Sequence, residues 1–284
     1  NTEDAEKVDL IISHPTFSSI NKVEIIKAIF ASLSNKSLEI FKKLLPLINN
    51  DVNIHSINDE SLLYAASMYK NENAILEIIN NPNFDSAKSE IDEVYAVLLN
   101  EHSDFKNFKI LEIIKKIDEE NYNLININKI LKNGKTYLTN SINNSNIEYV
   151  NYLLEKGADP DLPDLHGEYP LQIAINLSSF VVVESLIKTG KVDLNRRLNT
   201  SNSRNMTYLH LAAKSDDSKI LEKILMLNMI DVNAVDNGGE TPLMIATKNQ
   251  KIDNIIMLFE REDLDYLCCN IDGDDAFAIL RKQT

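Results

Sequence analysis

Gly134-Lys135-Thr136 has the ending of a phosphate-binding loop, a lysine that could pair phosphates beside a hydroxyl that could reach a metal ion. That loop also needs a glycine five residues before Gly134, and Lys129 stands there. Two acidic runs, Asp159, Asp161 and Asp164 and then Asp272, Asp274 and Asp275, carry the oxygen ligands that calcium prefers. Neither has the spacing or the closing glutamate of a calcium loop, so both read as solvated carboxylates in turns. The five histidines, His14, His55, His102, His166 and His210, are scattered without metal-ligand spacing. Cys268 and Cys269 are the only two cysteines, too few for a disulfide framework or a four-cysteine zinc site and suited to a reducing compartment. The adjacent thiols could be reactive; a plain turn position is the simpler reading. Catalysis needs convergent groups, and these residues offer none in a recognisable arrangement. The expectation is no enzyme, no metal and no cofactor.

The elements that carry these residues repeat. Asp236 to Gly239 supply turn chemistry, Thr241 can cap a helix, Pro242 suits the first helical position, and Leu243 and Ala246 fall on one helix face. The same device stands at Gly134 to Leu138, at Gly167 to Leu171, at Thr207 to Ala213 and at Gly273 to Phe277. The threonine position recurs at 136, 169, 207, 241 and 275, in successive steps of 33, 38, 34 and 34. Between them recur Leu153-Leu154 with Gly157-Ala158-Asp159, then Asp193-Leu194-Asn195 and Asp231-Val232-Asn233.

Residues 1 to 130 carry the period more weakly. Val8, Ile11 and Ile12 mark a helix that ends at His14 to Ser19, and the same ending returns around Pro82, two repeat periods after Pro15. Amphipathic helices are expected near Lys22 to Leu33, Ser37 to Ile48 and Asn73 to Ile79, with Ser61 to Ala66 a weaker copy of Thr241 to Ala246. One degenerate repeat is expected over 85–128, with helical patterns near Ile91 to Leu99 and Phe105 to Ile117 and the excess length around Glu119 to Asn128.

The motif resembles the ankyrin repeat family, whose Thr-Pro-Leu-His, alanine, Leu-Leu pair and Gly-Ala-Asp-x-Asn recur at about 33 residues. The resemblance implies an all-α solenoid of about seven helix-turn-helix repeats with β-hairpin-like loops, forming one domain, degenerate over 1–130 and regular over 131–284. The ends carry partial repeats, as modified caps or as a piece of a longer protein. Each repeat is too small to bury its own apolar face, so stability must come from stacking. Ala174, Ala212, Ala213 and Ala246 are small where helices approach, and Leu153, Leu154, Leu186, Ile187, Leu225, Leu258 and Phe259 are expected between the layers. His210 matches the family's helix-start histidine, a structural residue that links turns.

The resemblance also implies a protein-binding module or scaffold without catalysis, engaging its partner through a concave surface of hairpin tips and first helices. Carried over position by position, the partner-facing residues are Met68, Tyr69, Asn143, Asn144, Leu165, His166, Glu168, Asn176, Leu177, Met206, Lys214, Asn237, Glu240 and Lys248. The longer step, from 169 to 207, exceeds the period by about five residues and places Arg196, Arg197 and Arg204 on one extended hairpin. On a chain with 29 basic and 43 acidic residues and a net charge of −14, that is a local inversion of sign. Arginine suits interface carboxylates, so the loop either meets an acidic patch of the partner or is a mobile solvated loop. The acidic balance also argues against nucleic acid as a partner. With no apolar run long enough for a bilayer, the expectation is a cytoplasmic monomer that does not meet a membrane. Asn233 has the surroundings that asparaginyl hydroxylases favour in this family. An alternative reading makes the chain the target-recognition segment of a larger enzyme or of a secreted effector that works in a host cytosol.

Overall fold

The computed structural model describes residues 2–14, 21–85, 94, 97–98, 115, 126–131, 133–199, 204–227 and 229–283. Among them the chain is all-α, with fourteen α-helices and one 3-10 turn. Loop pairing there is limited to three isolated antiparallel bridges, His55–Ser61, Ile130–Thr136 and Leu198–Met206. Packing divides the chain into two compact units, Asn1–Asn126 and Ile127–Thr284.

The first unit holds α1 (Thr2–Ile12), α2 (Lys22–Ser34), α3 (Leu38–Leu44) with its 3-10 extension Leu45–Ile48, α4 (Leu62–Met68) and α5 (Glu72–Ile79). The second holds four helix pairs and a last helix. The pairs are α6 (Tyr137–Asn143) with α7 (Ile147–Glu155), α8 (Pro170–Asn176) with α9 (Phe180–Lys188), α10 (Tyr208–Ala213) with α11 (Ser218–Leu225), and α12 (Pro242–Lys248) with α13 (Ile252–Phe259). The last is α14 (Ala276–Gln283). The turn expected at Pro15 to Ser19 and most of the degenerate repeat over 85–128 lie outside the described residues.

A helix of six or seven residues does not hold itself in water, so capping and packing must supply its stability. Each cap follows from the repeat motif. Thr241 Oγ1 accepts from Met244 N at 3.3 Å, with Pro242 at the first helical position. Thr136 Oγ1 accepts from Thr139 N at 3.0 Å, and Ser61 Oγ from Tyr64 N at 3.1 Å. First helices end at a residue in the left-handed region, Ser145, Ser178 and Gln250 in the second unit and Lys36 and Lys70 in the first. The following N–H groups then bond back, Ser145 N to Ile142 O at 2.9 Å and Asn146 N to Ser141 O at 3.0 Å. This turns the chain directly into the second helix.

In the second unit, first helices pack on first helices and second on second, so two layers share one core. Ala174, Ala212, Ala213 and Ala246 are fully buried where the first helices approach. Leu153, Leu186, Ile224 and Leu258 are fully buried in the second layer, each worth about 1.5–3 kcal/mol in burial. Leu225, after Ile224, is buried as expected, while the residue after each of the other three is not. Leu154 and Ile187 are only half-buried, and Phe259 is 43% exposed, resting against Tyr266 and Phe277 at ring-centroid distances of 6.3 and 6.0 Å. Successive helical residues point about 100° apart, so in these three pairs the first residue faces the neighbouring repeat and the second turns towards the edge.

Candidate protein-binding surface

The hairpins between repeats are held from inside. Asp236 Oδ1 accepts from Gly238 N at 2.7 Å and Glu240 N at 2.9 Å. Asp164 Oδ1 does the same for His166 N at 2.8 Å and Glu168 N at 3.0 Å, and Asn270 Oδ1 for Asp272 N at 3.0 Å and Asp274 N at 2.9 Å. In the first unit Ser56 Oγ takes this place for Asn58 and Glu60. A short polar side chain that accepts from two turn N–H groups satisfies donors the hairpin cannot satisfy itself. Asp164 and Asp236 are therefore buried, and Asp161 is half-buried against Arg196, so the expectation of solvated carboxylates is wrong for Asp161 and Asp164 and holds for the exposed Asp159. Among the described residues no group of three or more His, Cys, Asp or Glu is placed to hold a metal ion.

Neighbouring hairpins are joined to each other. Leu165 N donates to Gly134 O at 2.8 Å, Asn237 N to Arg204 O at 2.9 Å, and Ile271 N to Gly238 O at 3.0 Å. At Gly239 the approach is so close that a Cβ would stand 3.1 Å from the backbone of Asn270 and Ile271, at a φ of +69°. Below the tips one asparagine per step makes a second link. Asn195 Nδ2 donates to Met229 O at 2.7 Å and its Oδ1 accepts from Asp231 N at 3.2 Å. Asn233 repeats this with Asp263 O and Asp265 N, both at 2.7 Å.

The extended hairpin is held from outside. Leu198 and Met206 pair across its base, with Leu198 N donating to Met206 O at 2.8 Å, and both side chains are buried. Residues 200–203 lie outside the described residues. Arg196 reaches back one repeat, ion-paired to Asp161, hydrogen-bonded to the Tyr169 hydroxyl at 3.3 Å and stacked 4.6 Å from the Tyr169 ring centroid. Arg197 reaches forward and donates to Val235 O. Arg204 is exposed, with its Nε 4.0 Å from Asp236 Oδ2.

These positions correct the sequence reading. Arg196 is occupied within the chain and half-buried, so it does not stand free at a loop tip. Met206 and Glu240 are buried: Met206 pairs with Leu198 across the base of the extended hairpin, and His210 packs against Glu240 with Nε2 on its carbonyl. The Glu240 carboxylate is held by Lys248 Nζ at 2.8 Å. Ser215, next to Lys214, is buried. Asn143, Asn144 and Glu168 are half-buried. Met68, Tyr69, Leu165, His166, Asn176, Leu177, Arg197, Lys214, Asn237 and Lys248 are exposed.

The buried polar groups are structural. Thr207 N donates to His210 Nδ1 at 3.1 Å, so the neutral ring carries its proton on Nε2 and donates to Glu240 O at 2.9 Å. Burial pushes the His210 pKa below its ordinary value and keeps the ring neutral. Burial, reinforced by Asp161, raises the pKa of the Tyr208 phenol, and burial raises that of the Cys268 thiol, the opposite of an activated thiolate.

A family model described as ankyrin repeats, in three copies, matches residues 95–197 and 190–268. The chain belongs to the ankyrin repeat family. Such repeats are generally non-catalytic modules that bind other proteins. Alpha-latrocrustotoxin-Lt1a of Latrodectus tredecimguttatus is 31% identical over 116 residues, 41% of this chain and 8% of the toxin. Palmitoyltransferase AKR1 of Lachancea kluyveri is 33% identical over 138 residues, 46% of this chain and 17% of that protein. The chain thus aligns with only a small part of the length of these relatives. A chain from the solved structure of a predatory endopeptidase of Bdellovibrio bacteriovorus in complex with an immunity protein superposes with a TM-score of 0.55 at 25% identity. The match covers 65% of this ankyrin-repeat chain and 91% of that one. Among the described residues no helix is long and apolar enough to cross a membrane.

Sequence reasoning missed the turn-holding role of Asp164, Asp236 and Asn270. Their constant place five residues before the helix-cap position was visible in the register. The partners of Arg196 left no such signal, since Asp161 and Tyr169 lie 35 and 27 residues away.

Proposed function

We propose that the chain binds a partner protein through the hairpin tips and first helices of the second unit, around the extended hairpin. The carrying observation is Leu165, 70% exposed at a hairpin tip, with Leu177, 47% exposed at the end of the first helix of the same repeat. Neither contributes to the interlayer core, and large apolar side chains left in water mark interaction surfaces. Arg204, Lys214 and Asn237 supply a cationic and polar border beside them. The partner then offers an apolar residue flanked by carboxylates. The test is capture from lysate of the source cells by the purified chain, repeated with Leu165→Ala/Leu177→Ala and with Arg204→Ala. Recovery of a partner that both variants lose supports the surface; recovery that neither variant changes removes it.

A second reading rests on the relatives, in which the matched segment is 8% and 17% of the protein. In that reading the repeats recognise a target for a larger enzyme or a secreted effector, and the site of action is a host cytosol rather than the cell's own cytoplasm. Locating the captured partner in host rather than source lysate separates the two. Hydroxylation at Asn233 belongs to the same set of proposals; an intact mass without added oxygen dismisses it.

A further inference from the structure

The second helices form grooves that the hairpin surface does not include. Between α9 and α11, Lys223 Nζ crosses to Glu184 Oε1 at 2.8 Å and bridges the two helices. In the first unit Lys42 of α3 crosses to Glu77 of α5 in the same way, at 2.9 Å. Among the described residues the groove between α11 and α13 has no such pair. One repeat further on, Met257 stands where Lys223 stood, so Glu222, the counterpart of Glu184, faces a thioether instead of an ammonium.

The result is an open cavity of about 520 Å³. Met226, Ile256 and Met257 supply apolar lining, with Met226 69% and Ile256 53% exposed. Glu222, Asp253 and Glu260 stand around it, and none of the three makes an ion pair among the described residues. Arg261, at the edge, does not neutralise them. Its guanidinium is committed to Asp263 at 2.9 and 3.0 Å and to Leu225 O at 3.1 Å. An apolar trough lined by flexible methionines and rimmed by free carboxylates matches a helix with an apolar stripe between cations.

We propose that the α11–α13 groove is a docking site for a basic amphipathic helix of another protein, its aliphatic side chains seated on Met226, Ile256 and Met257 and its lysines or arginines on Glu222, Asp253 and Glu260. The site lies on the second-helix face, so it is independent of the hairpin surface and both can be occupied together.

The test is fluorescence anisotropy of a labelled amphipathic lysine–leucine helical peptide titrated with the full chain, beside a glutamate–leucine peptide of the same pattern. Saturable one-to-one binding of the basic peptide alone is expected. Met257→Lys restores the residue that bridges the preceding pair of helices, so it should keep the fold and lower affinity about tenfold or more. Leu165→Ala/Leu177→Ala should leave peptide affinity unchanged, which separates this site from the hairpin surface. Should Met257→Lys lower the melting temperature, Glu222→Gln/Glu260→Gln serves instead, with a severalfold loss expected. No saturable binding, binding indifferent to both groove variants, or self-association of the free chain that Met257→Lys abolishes would each overturn the proposal, the last because a second copy then fills the groove.

Discussion

The hairpin at 236–240 and the one at 198–206 solve the same problem in opposite ways. Asp236 carries an acceptor inside the turn and binds two of its N–H groups, so the turn closes on itself. The longer hairpin has the buried Leu198 at its base, and side chains that reach into both neighbouring repeats hold it: Arg196 to Asp161 and Tyr169, Arg197 to Val235. A self-held turn leaves its outer residues free for recognition, whereas an externally held one spends arginines on anchorage. Charge at a loop therefore does not by itself mark a binding residue; the local accounting of hydrogen-bond donors decides what is left over.

Removing the inner acceptor should have the largest effect. Asp236→Ala strands two buried N–H groups and should cost about 2–3 kcal/mol in urea unfolding. Asp236→Asn should cost less than about 1 kcal/mol, since Asn270 makes the same two bonds one repeat later. Equal losses for the two variants would show that charge, not acceptor geometry, holds the turn. Arg196→Ala, which cuts the outer anchorage, should cost about 1 kcal/mol, because its ion pair is partly exposed. Amide exchange should then quicken in 197–206 and stay unchanged in 236–240; acceleration in both would erase the distinction.

His210 joins the two hairpins and makes their link sensitive to pH. Its folded pKa lies below the ordinary 6.5 because the ring is buried, so below 6.5 the unfolded chain binds more protons than the folded one. The stabilisation is complete above that value and is lost as pH falls towards the depressed folded pKa. His210→Gln, the residue type that Gln172 supplies at this place in the preceding repeat, should flatten the acid limb of the stability profile. A limb as steep as before would assign it to other groups. The smallest expected effect is Arg204→Ala, within about 0.5 kcal/mol on stability, since Arg204 is exposed and only 4.0 Å from Asp236. A larger loss would make it a third outer anchor and leave the extended hairpin without a free arginine.

Helix positions were legible wherever the repeat period was, since a cap, a proline at the first turn and an alanine three or four residues on are local signals. Thr241 to Ala246 shows this, and so does the weaker copy from Ser61. The partner-facing residues were legible only in part. Leu165, Leu177 and Asn237 are open as their register implies, while Met206 and Glu240 are not, because burial at a hairpin depends on how closely the adjoining hairpin approaches.

The sequence by itself determined the repeating unit, its all-α class and its membership of a family whose surfaces bind proteins, because those follow from patterns that recur at a nearly constant period. Only the tertiary structure decided which charges are spent internally. Arg196 finds Asp161, and Met257 leaves Glu222 without a partner, through contacts between side chains a whole repeat apart in the chain, whose geometry no local pattern encodes.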